Sequence, residues 1–301
     1  MCTIDSNYIR HCAVMLRSLR DHNPSSELNI YIIHEALDAD ERAKLCGYLG
    51  TFLHSTSFIQ VDPSLLKDFP VFGHISIATY FRLLVPLVLP PVLSRILFLD
   101  SDIVINGSLE DLWNIDMEGS PVTAVTDRNL EMQRQRLGMA DDSPYFNAGV
   151  MLIDLEQWRN EDILSRGIQF AAANADKLNN WDQDVLNHLF ESRVKLVHQR
   201  WNAMSHLWGL DPAWIEAQGD LSEEEQEAIG NPAVIHFAGG GFAKPWNYNC
   251  PHPRKDDYRH ALSRTPWADA PLEDIPQPAR NGLMRRAIRK AIGLLSSYRW
   301  D

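Results

Sequence analysis

The residues best placed to do chemistry are Asp100 and Asp102, in the run R-I-L-F-L-D-S-D-I-V over residues 95–104. Acids separated by one residue project to the same side of an extended backbone. Both can therefore offer oxygen to one hard divalent cation, with a nucleotide diphosphate completing its shell. The simpler alternative is a pair of loop acids capping a strand. Apolar residues run into the pair and out of it, bounded by Pro90-Pro91 and by Asn106-Gly107, which is the pattern of a buried strand with charge at its carboxyl end. A carboxylate buried there is costly unless a cation or a donor meets it.

Two further stretches carry matching chemistry. In I-D-S-N-Y, residues 4–8, an acid, an amide and an aromatic follow a short apolar run and precede a helical pattern. Open α/β sheets bind nucleotides at that edge, where Tyr8 can stack on a base and Asp5 can accept from a ring N–H. In I-H-F-A-G-G-G-F-A-K-P-W, residues 235–246, His236 closes an apolar run, glycines follow, and Lys244 comes next. Imidazole can act as a cation's third protein ligand, glycines let the backbone approach phosphate, and an ammonium can meet a diphosphate charge.

The elements that must position these residues alternate between strand and helix, the pattern of a mostly parallel α/β sheet covered on both faces. Strands are expected at residues 2–4, 28–33, 58–61, 122–125, 145–155 and 233–237. Ile9, Cys12, Ala13, Leu16 and Leu19 give a first amphipathic helix. Further helices are expected over 39–49, 77–84 and about 156–173, as a capped turn at 108–113, and from the W-D-Q-D run at 181–184. Ser222 with Glu225 three residues on forms a capping box for another.

At 301 residues the chain can bury a full core, and a net charge of -12 argues against non-specific nucleic-acid binding. Cys2, Cys12, Cys46 and Cys250 are scattered, without C-x-x-C, so neither zinc nor a disulfide framework is suggested and a reducing cytoplasm is the simpler home. Asp5 interrupts the place where a signal peptide needs an apolar core, and prolines and Arg95 break the apolar window 83–99. Pro266, Pro271, Pro276 and Pro278 mark a linker over residues 266–279. Residues 280–301 follow with six basic residues and one acid, their apolar positions on one helical face. That tail reads as a membrane-surface anchor, the alternative being a helix packed on the acidic body.

Taken together, these motifs closely resemble glycosyltransferase family 8, retaining sugar-nucleotide transferases of GT-A fold, and within it the bacterial lipopolysaccharide α-galactosyltransferases. Besides D-S-D and the two stretches above, the resemblance rests on H-I-S-I-x-T-Y-x-R-L at 74–83, G-M-A-D at 138–141, Y-F-N-A-G-V at 145–150 and D-Q-D at 182–184. It implies one GT-A domain over residues 1–265, Rossmann-like with a mostly parallel mixed sheet. It also implies a UDP-sugar held through Mn²⁺, or alternatively Mg²⁺, by Asp100, Asp102 and His236. By the same resemblance Asp5 pairs with uracil, Tyr8 stacks on it, Asn7 meets the ribose and Lys244 the diphosphate. Arg82, Asp127, Asn147 and Asp182 match donor-sugar positions, Gln183 matches the residue beneath the anomeric carbon with Asp184 beside it, and His74 matches an acceptor position.

The function so implied is transfer of galactose or glucose to a lipopolysaccharide-type saccharide, on the inner face of the cell membrane. Alternatives are a soluble transferase acting on a polysaccharide or protein, and a silent sugar-nucleotide-binding protein. Gln183 is a neutral amide and a weak nucleophile, which favours same-face attack, with a covalent route through Asp184 as the alternative. The sequence departs from the family in a first strand expected to be short, in an eight-residue step from His236 to Lys244, and in a poorly matching stretch 203–219.

Overall fold

The computed structural model describes residues 1–66, 77–127, 130–210, 221–239 and 241–274. His74, part of the stretch 203–219 and the whole of 280–301 lie outside the described residues. Strands β1 (Cys2–Ile4), β2 (Asn29–His34) and β3 (Ser55–Gln60) are parallel, in the order β1-β2-β3. Strands β4 (Arg95–Leu99), β5 (Ile103–Ile105), β6 (Val122–Thr126), β7 (Phe146–Asp154) and β8 (Val194–Leu196) follow. Four of them pair in the order β4-β7-β6-β8, with β7 antiparallel to both neighbours.

Met1 joins the two sheets, because its carbonyl accepts from Leu99 N at 2.9 Å and its amino group donates to Leu97 O at 2.6 Å. Beside this surface, β9 (Ala203–Met204) and β10 (Val234–His236) form a small sheet with β5, in the order β5-β10-β9. The result is the mixed α/β arrangement that the family resemblance implies, with antiparallel pairing around β7 and between β5 and β10 where the alternation alone suggests a mostly parallel sheet.

Strand β7 is buried along nearly its whole length, as F-N-A-G-V-M-L-I-D demands of a central strand covered on both faces. Ile96 and Phe98 of β4 enter one apolar cluster with Tyr80, Phe81, Met151 and Trp158, while Leu99 enters the other with Cys12, Leu16, Ile103 and Phe237. Burying each large side chain contributes about 1.5–3 kcal/mol, so both faces are held firmly behind the strand ends.

Several elements differ from the sequence pattern. The helix expected over 156–173 breaks into Leu155–Asn160 and Ile163–Ala173. Asp162 sits between them at φ 47°, its carboxylate accepting from Ser165 N to start the second helix. Ile77–Leu84 is a 3-10 helix, which brings Arg82 under the sheet edge. The capping box of Ser222 and Glu225 starts the helix Glu223–Gly230. Past the helix Lys255–Leu262 the chain stays on the body: Trp267 donates through Nε1 to Glu41 at 2.7 Å, and Glu273 N donates to Trp246 O at 2.9 Å. No helix among the described residues is long and apolar enough to cross a membrane.

Candidate active site

Strand β4 ends at Leu99, and Asp100 N still donates to Gly149 O of β7 at 2.8 Å. The chain turns through Ser101 and Asp102 into β5, whose partner β10 ends at His236. Phe237 N donates to Asp102 O at 3.0 Å and ties the two ends together. Asp100, Asp102 and His236 therefore meet, their ligand atoms all within 4.8 Å of one another. His236 Nε2 lies 3.3 Å from Asp102 Oδ1 and 4.0 Å from Asp100 Oδ2.

The donor set fits a divalent metal: hard carboxylate oxygens, one imidazole nitrogen, and open directions for oxygens of a ligand. The second ring nitrogen of His236 is engaged by Asn202 Oδ1 at 2.8 Å, as metal-binding histidines require. Gly149 completes the cradle. A Cβ there would stand 2.3 Å from His236 Cε1 and 2.9 Å from Asp100 Oδ2, so only glycine admits the ring and the acid side by side.

Cations on either side offset the cost of burying these acids. Arg82, 5% exposed, donates from Nη2 to Asp100 Oδ1 at 2.8 Å and pairs through Nε with Asp182 Oδ2 at 2.7 Å. Its guanidinium lies over the Phe98 ring, 4.4 Å from the centroid. Lys244 Nζ donates to Asp102 Oδ2 at 2.5 Å and to Phe237 O at 2.7 Å. The two acids consequently differ. Burial lifts the Asp100 carboxyl above its usual range despite Arg82, whereas at Asp102 burial is outweighed by Lys244 and His236, which hold it well below.

Behind Arg82 lies a polar platform. Asp182, pushed up to about 6 by burial, accepts from Thr79 Oγ1 at 2.8 Å. Gln183 Nε2 donates to Asp127 Oδ2 at 2.9 Å and to the Tyr145 hydroxyl at 3.2 Å. Its Oε1 accepts from Ala148 N at 3.0 Å and from Asn147 Nδ2 at 3.1 Å, and Asn147 Nδ2 also reaches Asp127 Oδ2 at 3.2 Å. Asp184 is fully buried. It accepts from Arg136 Nη1 and Nη2, Asn179 N and Asn180 N at 2.8 Å each, and from the Tyr145 hydroxyl at 2.6 Å.

On the other flank, Asp5 accepts from Asn7 N at 2.8 Å and opens the turn that carries Tyr8. The Tyr8 ring meets His11 and Trp246 edge-on, at 5.2 and 6.1 Å between centroids, and Lys244 Nζ lies 5.8 Å from the Trp246 ring. Burial holds the Tyr8 hydroxyl firmly protonated. His11 stacks on Trp246 at 3.7 Å and shares a 2.6 Å bond with the Tyr258 hydroxyl.

The structure thus brings Asp100, Asp102, His236, Lys244, Arg82, Asp182, Gln183, Asn147 and Asp127 into one network, with Asp5, Asn7 and Tyr8 on the Trp246 flank. The sequence reading missed Asn202 and Arg136, which carry no strand-end signature, and it placed Tyr145 at the start of Y-F-N-A-G-V without giving it a role. It quoted Trp246 within K-P-W without giving it a role.

The family model for glycosyl transferase family 8 matches residues 1–250. The chain belongs to this family. General stress protein A of Bacillus subtilis is 30% identical over 269 residues, 87% of this chain and 92% of that protein. The lipopolysaccharide 1,3-galactosyltransferase of Salmonella typhimurium is 25% identical over 281 residues, 89% of this chain and 79% of that enzyme. Among solved structures, the galactosyltransferase LgtC in complex with donor and acceptor sugar analogs superposes with a TM-score of 0.77 at 28% identity, covering 93% of this chain and 98% of that one. This family 8 chain is accordingly a glycosyltransferase of GT-A fold.

Proposed function

We propose that this glycosyltransferase is a retaining hexosyltransferase that moves galactose or glucose from a UDP-sugar to a lipopolysaccharide or lipooligosaccharide acceptor. The observation that carries the reading is the meeting of Asp100, Asp102 and His236 at neighbouring strand ends, between Lys244 and the Asp182-Gln183 platform. The relatives named lipopolysaccharide 1,3-galactosyltransferase and, in Escherichia coli, lipopolysaccharide 1,2-glucosyltransferase support the donor and acceptor classes.

UDP is a poor leaving group until its growing charge is neutralised. A divalent cation held by Asp100, Asp102 and His236, Mn²⁺ or alternatively Mg²⁺, would supply that term. Lys244 turns from Asp102 to the diphosphate. Tyr8, backed by Trp246, stacks on uracil, while Asp5 accepts from its N–H and Asn7 meets the ribose. Arg82, Asp127, Asn147 and Asp182 hold the sugar hydroxyls, and the acceptor-side role goes to His74 on the family resemblance alone.

Retention follows from attack on the face that UDP leaves. Gln183 under the anomeric carbon is neutral, and its oxygen already accepts from Ala148 N and Asn147 Nδ2. Asp184 is held by Arg136, Tyr145 and backbone N–H groups, which suits a positioning residue better than a nucleophile. The rival reading, a silent sugar-nucleotide binder, would be expected to have lost some of these groups.

The domain reading is a catalytic body over residues 1–265, a linker over 266–279 whose residues 266–274 pack back on that body, and a basic tail over 280–301 that holds a cytoplasmic enzyme to anionic lipid. Deleting 280–301 should release the protein from anionic vesicles and leave activity on a soluble acceptor intact. Vesicle binding that survives the deletion refutes the anchor. For the reaction, a panel of UDP-sugars with Mn²⁺ should give UDP release with UDP-galactose or UDP-glucose. Binding of UDP without turnover of any sugar would favour the silent binder.

A further inference from the structure

We infer that Asn202 is a positioning residue that sets the tautomer of His236 and keeps its Nε2 lone pair turned toward Asp100 and Asp102. The inference rests on the metal reading above and goes beyond it, to a side chain that touches neither of the two carboxylates and meets the proposed donor-sugar residues only through Asn147. Asn202 is fully buried at the end of the 3-10 turn Gln199–Asn202, and His236 is 3% exposed.

The direction of each bond in this chain is fixed by groups that cannot reverse. Gly149 N, a backbone N–H that can only donate, lies 2.9 Å from Asn147 Oδ1, so the oxygen of that amide must face it. The Asn147 NH₂ is then free to donate to the Asp127 carboxylate at 3.2 Å, which agrees with the assignment. Asn202 approaches the same Asn147 Oδ1 at 2.8 Å, and only its NH₂ can be the donor there. The Asn202 oxygen is thereby turned to His236 Nδ1 at 2.8 Å and must receive a proton from it. With the proton of the neutral ring on Nδ1, Nε2 is an acceptor, placed 3.3 Å from Asp102 Oδ1.

An acceptor nitrogen facing carboxylate oxygens is unfavourable until a cation stands among them. In the opposite tautomer, Nε2–H would donate to Asp102 and satisfy the site without any cation. Asn202 disfavours that neutral tautomer, because its bare Nδ1 lone pair would face the Asn202 oxygen. Because the same Asn147 joins Asp127 and Gln183, the relay runs unbroken from the sugar platform to the cation cradle.

The test uses the full chain with ¹⁵N-labelled histidine. Long-range ¹H–¹⁵N spectra of the metal-free protein, with the His236 signals assigned by their loss in His236→Gln, should show the Nδ1–H form. Asn202→Leu should shift His236 toward Nε2–H and weaken Mn²⁺ binding, followed by electron paramagnetic resonance, about 10–100-fold. Asn202→Asp keeps an acceptor opposite Nδ1 and should keep the Nδ1–H form and recover most of the Mn²⁺ affinity. An Nε2–H form in the wild type, or equal losses in the Leu and Asp variants, overturns the inference. If the wild type binds no Mn²⁺, the metal reading falls instead, and the spectra alone decide the role of Asn202.

Discussion

The backbone N–H of Ala148 donates to Gln183 Oε1 at 3.0 Å, and this bond fixes which way the Gln183 amide faces. Its NH₂ is thereby turned to Asp127 and Tyr145, whose hydroxyl in turn donates a hydrogen bond to the buried Asp184. The residue proposed to lie beneath the reacting carbon is held at both ends of its amide. Such rigidity suits a fixed dipole better than a nucleophile that must advance on carbon.

Gln183→Ala should therefore cut kcat by about 10²-fold or more, the range for losing one oriented polar group, and leave donor affinity within a few-fold. Steady-state kinetics with UDP-sugar binding measured by calorimetry separate the two. Normal kcat with much weaker binding would move Gln183 from beneath the sugar to its periphery.

Asp184→Asn should act on stability first. The substitution leaves the Arg136 guanidinium, 15% exposed, without its charge partner, and breaking a buried pair costs about 3–5 kcal/mol. Chemical denaturation reads that loss, and turnover of the fraction still folded should remain measurable. A stable Asp184→Asn protein without turnover would restore the covalent route.

Gly149→Ala places a methyl 2.3 Å from His236 Cε1 and should spread the cradle without disturbing the apolar clusters. Mn²⁺ affinity should fall about 10–100-fold, as for other disturbances of ligand orientation, while the unfolding midpoint changes little. Unaltered Mn²⁺ affinity would mean that the cation sits elsewhere.

Asp182 links the site to pH. Burial raises its folded value from 3.8 to about 6. Below pH 4 it is protonated in both states, and between about 4 and 6 only the folded chain keeps the proton. Its contribution to stability is thus present at low pH, declines as pH rises through this window by about 3 kcal/mol, and is level above it. A ¹³C titration of the metal-free protein should place the Asp182 carboxyl midpoint near 6. Titration near 4 would mean that Arg82 compensates its burial in full.

Much of the site was legible in the sequence because it sits at strand ends, where a buried apolar run passes into charge within a residue or two. Asp100, Asp102 and His236 announce themselves in that way, and Lys244 does so by following a glycine run eight residues beyond His236. Arg82, Asp127, Asn147, Asp182 and Gln183 came only through the family resemblance, since no local pattern marks them. Asn202 and the role of Tyr145, quoted only as the start of Y-F-N-A-G-V, stayed hidden: Asn202 meets His236 across 34 residues of chain and Tyr145 meets Asp184 across 39, and neither carries a charge. The helix break at Asp162 was equally invisible, because the apolar spacing continues through it while a capping carboxylate restarts the helix. Short strands such as β9 depend on β10 for their existence, so tertiary pairing rather than composition creates them.

The most direct test of the central claim is UDP release from UDP-galactose and UDP-glucose by the wild type and by Asp100→Ala, across a Mn²⁺ titration with a chelator control. The account predicts release that rises with Mn²⁺, vanishes with chelator and is abolished in Asp100→Ala. Turnover that is unchanged by the substitution, or that proceeds without any divalent cation, would contradict it.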